Sequence, residues 1–104
     1  MEISSTKVAQ IIVLARELDR AEGEFRAFVE RLGMDEQAEL VALMWIGRGS
    51  YEAEEFPEAV AMACNEASTP TADYLMGTPH LSDHLETALD ILNISAVELE
   101  NDLM

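Results

Sequence analysis

Asp35-Glu36-Gln37-Ala38-Glu39-Leu40-Val41-Ala42-Leu43-Met44-Trp45-Ile46-Gly47-Arg48-Gly49 is the stretch on which the fold turns. Leu40, Leu43, Met44 and Gly47 recur at offsets of three, four and seven, the spacing of one helical face. Val41, Trp45 and Ile46 carry apolar character around much of the remaining circumference. A helix that is apolar on nearly every side belongs inside a protein, so this segment is expected to be the central, most buried helix. Asp35 is its expected N-cap, and Gly47 and Gly49 its expected stop, with Arg48 complementing the negative end of the dipole. The longest unbroken apolar run, Leu40 to Ile46, is seven residues, well short of the roughly twenty needed to cross a bilayer.

Upstream, Val8, Ile11, Ile12, Ala15 and Leu18 form the stripe of a first helix, capped by Ser5 or Thr6 and ending near Glu22-Gly23. Phe25, Phe28, Val29 and Leu32 mark a second, with Gly33 expected in the left-handed conformation that stops it. Downstream, Phe56, Ala59, Val60, Ala63, Cys64 and Ala67 predict a fourth helix opening near Ala53, where Pro57 is tolerated because first-turn amides lack intrahelical acceptors. Ser68-Thr69-Pro70 breaks the chain before a short helical piece from Ala72 to Met76, closed by Gly77. Thr78 as N-cap and Pro79 in the first turn open a longer helix with Leu81, Leu85, Ala88, Leu89 and Leu92 facing inward. Ser95 and Glu98 have capping-box spacing for a terminal turn or two, Ala96 to Leu103. No segment alternates as a strand does. The expectation is an all-α compact bundle of about five to six helices, one domain over residues 1–104, a length at which a single core is normal.

Charge is distributed unevenly. The first forty-eight residues hold nine acids against all six bases, net −3, and the remaining fifty-six hold twelve acids and no base, net −12. Such a polyanion repels nucleic acid and anionic membranes and attracts basic surfaces, without specifying a reaction. A lone cysteine excludes an intramolecular disulfide, and Met1 to Ser5 lack the pattern of an export signal, so a cytoplasmic location is expected.

The stretch from Asp35 to Gly49, followed by Tyr51, Glu54-Glu55-Phe56 and Tyr74-Leu75-Met76-Gly77-Thr78-Pro79, together with Ile3-Ser4-Ser5-Thr6-Lys7-Val8, resembles a bacterial family known as domain of unknown function 3775. Two features depart from that family's pattern: the short Glu22-Gly23-Glu24 where a longer acidic insertion is common, and the histidines at 80 and 84. The resemblance implies a small bacterial domain and supplies no catalytic residues.

Few residues carry chemistry. If both lie in the helix after Pro79, His80 and His84, four apart, point the same way, the geometry that lets two histidines share a metal ion with Asp83 or Asp73 completing the shell; Leu81 breaks the metalloprotease signature, and a pair of partly solvated surface residues is the favoured reading. Cys64, on a small-residue stripe with no basic neighbour, is expected to be core. Arg16 and Arg20 are expected on a solvated face, neutralised by Glu17, Asp19 and Glu24. Gly47-Arg48-Gly49-Ser50 matches neither a phosphate-binding glycine loop nor a nucleophile elbow. Trp45, Arg48 and Tyr51, spaced by threes, are the interface candidates, of residue types enriched where proteins meet. No catalytic residue, cofactor or metal set is assigned. The expected function is a non-enzymatic protein-protein interaction or regulatory module, possessing a basic partner and self-associating as a homodimer over the Trp45 face. A metal-dependent protein built on His80 and His84 and an acidic mimic of nucleic acid are the rivals; Glu58, Glu66 and Glu86 are the acids singled out for electrostatic steering.

Overall fold

The computed structural model describes residues 3–65 and 70–103, with side chains excepted at 5 and 93–103. The first helix, α1, is Ser5–Arg16. Its N-cap is Ser4, one residue earlier than expected, whose hydroxyl accepts from the Lys7 amide at 3.2 Å. The helix stops at Glu17, not at Glu22-Gly23, and α2, Leu18–Arg31, follows at once with a second deviation at Ala21. No glycine or proline makes this bend. The backbone closes it on itself, because Glu17 N donates to Leu14 O, and Arg20 N and Ala21 N both donate to Glu17 O. The bend lets α2 fold back and bring Ala21, Phe25 and Val29 onto the core.

The corner between α2 and α3 also departs from expectation. Gly33 is extended (φ −62°, ψ 160°), so it does not provide a left-handed stop. The side-chain amide of Gln37 does that work instead, donating to Val29 O at 3.1 Å and Leu32 O at 3.0 Å, two carbonyls at the end of α2. Gly33 becomes the N-cap of α3, Met34–Arg48, and Glu36 rather than Asp35 serves that end by accepting from the Gly33 amide at 3.2 Å. The other Glu36 oxygen accepts from Lys7 Nζ at 2.8 Å, joining the starts of α1 and α3. These contacts, Lys7 first and the Gly33 amide second, hold the Glu36 carboxyl below its ordinary 4.5. A carboxylate depressed on folding adds stability above its unfolded pKa and loses it as pH falls through the folded value. Glu36→Gln is therefore expected to lower the thermal midpoint at neutral pH, with the gap to the parent closing as pH falls below the ordinary carboxylate range; a gap independent of pH in circular-dichroism melts would refute the linkage.

Nine consecutive residues of α3, Ala38 to Ile46, are buried, as their all-round apolarity predicts. The one carboxylate among them, Glu39, accepts from the Ile3 amide at 2.7 Å and draws Ile3 into the core. The stop is Gly49 alone, left-handed at φ 91°, with Gly49 N donating to Ile46 O and Ser50 N to Trp45 O. Gly47 remains helical and lies against the backbone of His84.

Beyond the turn, Ala53–Glu55 is a single 3-10 turn and α4, Phe56–Asn65, begins three residues later than expected, with Pro57 in its first turn. Ala59 and Ala63 bury against α3, and Phe56 and Val60 flank them. Cys64 is exposed, against the expectation of core. It lies about 120° around the helix from the line midway between Ala59 and Ala63, beyond the reach of a face made of such small residues. Ala67 and the Ser68-Thr69 break fall outside the described residues. The short α5 is Thr71–Met76. Thr78 does not cap the next helix; its hydroxyl donates back to Tyr74 O at 2.9 Å, and α6 begins at Leu81 after His80, which is left-handed at φ 57°. The backbone of α6 continues unbroken to Leu103, so no separate terminal helix forms, and the side chains of the Ser95 and Glu98 pair fall outside those described.

Six helices and no strand occur among the described residues. The bundle has α3 at its centre, packed by α4, α5 and α6, with α1 against α2 and α6. Arg16 pairs across the bundle with Glu86 of α6, not with the acids of its own neighbourhood, and Arg26 Nη1 meets Asp73 Oδ1 of α5 at 2.6 Å.

Candidate functional site

The aromatic corner at the C-terminal end of α3 is built by the Gly49 turn. Trp45 precedes that turn, and the left-handed residue returns the chain so that Tyr51 stacks on the indole, with centroids 5.7 Å apart and planes inclined by 24°. From α5, the Tyr74 hydroxyl accepts from Trp45 Nε1 at 3.0 Å. A buried indole N–H needs such a partner. Trp45 retains only 7% of its surface, while Tyr74 retains 36% and Tyr51 is partly buried. The interface candidate Trp45 is thus a buried pillar, and the two tyrosines present the aromatic surface. A dimer expected to cover whatever part of the Trp45 face the bundle leaves exposed loses that basis, since Tyr51 and Tyr74 cover the indole within one chain.

Arg48, one turn beyond Trp45, is exposed, and its Nε donates to Ser50 Oγ at 3.1 Å. Exposed Glu52, Glu54 and Glu58 follow Tyr51 in the chain. Glu52 and Glu55 close the 3-10 turn locally, Glu52 N donating to Glu55 Oε1 at 2.9 Å. On the other flank, the Asp73 hydrogen bond and charge raise Arg26 further above its ordinary pKa and keep it cationic. Sequence reasoning brought Trp45, Arg48 and Tyr51 together and missed Tyr74. The available signal was the indole itself, which requires an acceptor, and the chain contains only two tyrosines.

The histidines do not share the helical face that the rival metal reading requires. His80 stands before α6 with its side chain largely in solvent, and its Nδ1 is 3.9 Å from Asp83 Oδ2. His84 lies inside the helix and is partly buried. The left-handed backbone at His80 removes the shared helical face on which a two-histidine site depends, and no group of three potential ligands gathers among the described residues. An open depression of about 390 Å³ beside Gly33, Met34, Asp35 and Glu36 adds no further reactive group.

The model of a family described as protein of unknown function (DUF3775) matches residues 22–94, taking in the whole aromatic corner. The chain belongs to the DUF3775 family. Neither the curated proteins nor the solved structures compared gave a match. Within this DUF3775 domain the matched span starts inside α2 and ends inside α6, so it includes Phe25, Gly47 and the α3–α6 crossing and omits α1.

Proposed function

We propose that this DUF3775 chain is a non-enzymatic protein-protein interaction module that docks its partner on Tyr51, Tyr74 and Arg48. The observation that carries the reading is the pre-set geometry of the corner: Trp45 fixes one tyrosine by stacking and the other by a hydrogen bond. Aromatic and arginine side chains supply most of the binding energy at many interfaces, and side chains ordered beforehand lose less entropy on docking. The partner presents a basic surface, a reading supported by the net −12 after Arg48 and by the exposed Glu52, Glu54 and Glu58. Glu58 stays among the steering acids, and Glu52 and Glu54 take the places of Glu86, which pairs with Arg16, and Glu66, which lies outside the described residues. A reducing cytoplasm suits the exposed free thiol of Cys64.

The test is affinity capture from the native host, followed by binding kinetics with the purified partner. Tyr51→Ala and Arg48→Ala are each expected to weaken binding about thirtyfold or more through lost packing against the partner, with circular dichroism unchanged. Glu52→Gln, Glu54→Gln and Glu58→Gln together are expected to slow association more than they speed dissociation. Retained affinity in both single variants would overturn the proposed surface. A nucleic-acid mimic gives the opposite pattern, sensitivity to the acids with indifference to Tyr51; charge alone supports that rival, and solubility explains the charge equally well.

A further inference from the structure

The six residues of α5 form the smallest helix of the bundle, and helices below about 12 residues hold little structure by themselves. Its attachment is correspondingly local. Ala72 and Leu75 are its buried residues. Met76 packs against the core beside them, and two polar bonds reach neighbouring helices: the Asp73–Arg26 ion pair, in which both side chains are roughly two-fifths exposed, and the hydroxyl of Tyr74 on Trp45. The second bond makes α5 the cover over the indole N–H. A small unit with few buried apolar side chains and an exposed ion pair opens before the surrounding core does.

We infer that α5 is a latch over Trp45, opening as a unit in the free chain and uncovering the indole and the seat of Leu75. The use assigned to this opening rests on the interaction reading: the closed state holds Tyr74 where the partner docks, and opening withdraws it. Leu75, fully buried, keeps the closed state dominant. Salt screens the exposed Asp73–Arg26 pair and so favours opening.

The opening is tested without any partner, so its failure and that of the interaction reading are separate results. Trp45 is the single tryptophan, and acrylamide quenching of its fluorescence reports uncovering directly. Tyr74→Phe is expected to raise the uncovered fraction about five- to tenfold, the effect of losing one hydrogen bond on such an equilibrium, and Asp73→Asn, which weakens an exposed pair, about two- to fivefold. The rise should come well below the circular-dichroism melting transition, accompanied by faster amide exchange in α5 than in α3. Added salt should increase quenching in the parent and leave Asp73→Asn unchanged. Val60→Ala, in α4 and away from the latch, controls for general destabilisation and should leave quenching at the parent level. The latch is overturned if quenching in both α5 variants rises only with the global melt, or if Val60→Ala raises it equally.

Discussion

Gly47→Ala is expected to destabilise the protein by about 3 kcal/mol or more, enough to lower the thermal midpoint by roughly 12–24 °C for a domain of this size. A Cβ built on Gly47 would overlap the carbonyl oxygen of His84 and lie 2.5 Å from its carbonyl carbon. Both obstacles are backbone, so no rotamer change relieves them, and α3 and α6 must separate along a shared buried seam. Helix propensity alone predicts the opposite sign, since alanine is better than glycine inside a helix by about 1 kcal/mol. Gly23→Ala isolates that contribution: nothing lies within 4 Å of its added Cβ, and it should stabilise α2 by about 0.5–1 kcal/mol. Denaturant unfolding of the two variants is the measurement, and equal shifts of the same sign would remove the helix crossing as the reason for glycine at 47.

Phe25→Ala is expected to cost about 3–5 kcal/mol, a large share of the roughly 5–15 kcal/mol by which a domain of this kind is stable. Phe25 is the largest fully buried side chain, and α2 buries only Ala21 and Val29 beside it. Most of the apolar attachment of that helix is therefore one ring. Phe28, three residues along and only partly buried, should cost about 1–2 kcal/mol when cut to alanine. Chemical denaturation distinguishes them; equal losses at 25 and 28 would show that α2 is held by its length and not by Phe25.

The apolar stripes were legible because burial periodicity is local: Val8, Ile11 and Ile12, then Phe25 and Val29, then Leu81, Leu85 and Ala88 all reach the core. Punctuation was less legible wherever a distant group replaces a local signal. Gln37 caps α2 from the following helix, which frees Gly33 from the left-handed conformation and makes it an N-cap. The bend at Glu17 closes with its own amides and needs no special residue. Cys64 was assigned to the core by carrying the stripe of α4 too far around a helix whose inward face is narrow. At the candidate site, spacing within ten residues joined Trp45 to Arg48 and Tyr51. Tyr74 lies twenty-nine positions from Trp45, on another helix, where periodicity carries no information about pairing. Gly47 was visible as a member of a buried stripe; that another backbone touches it there is a tertiary fact.

The Arg16–Glu86 pair joins segments seventy positions apart, and α6 lies on both α1 and α3. During synthesis, the apolar side of α3 that will receive Leu81, Leu85 and Ala88 is made long before those residues leave the ribosome. Elongation at about 5–20 residues per second leaves that side wet for seconds, because non-local closure must await the later helix. The acids strewn between Glu52 and Asp90 emerge in that interval on a nascent chain bearing no lysine or arginine after Arg48. Their mutual repulsion keeps unfinished copies apart while the central helix waits for its cover.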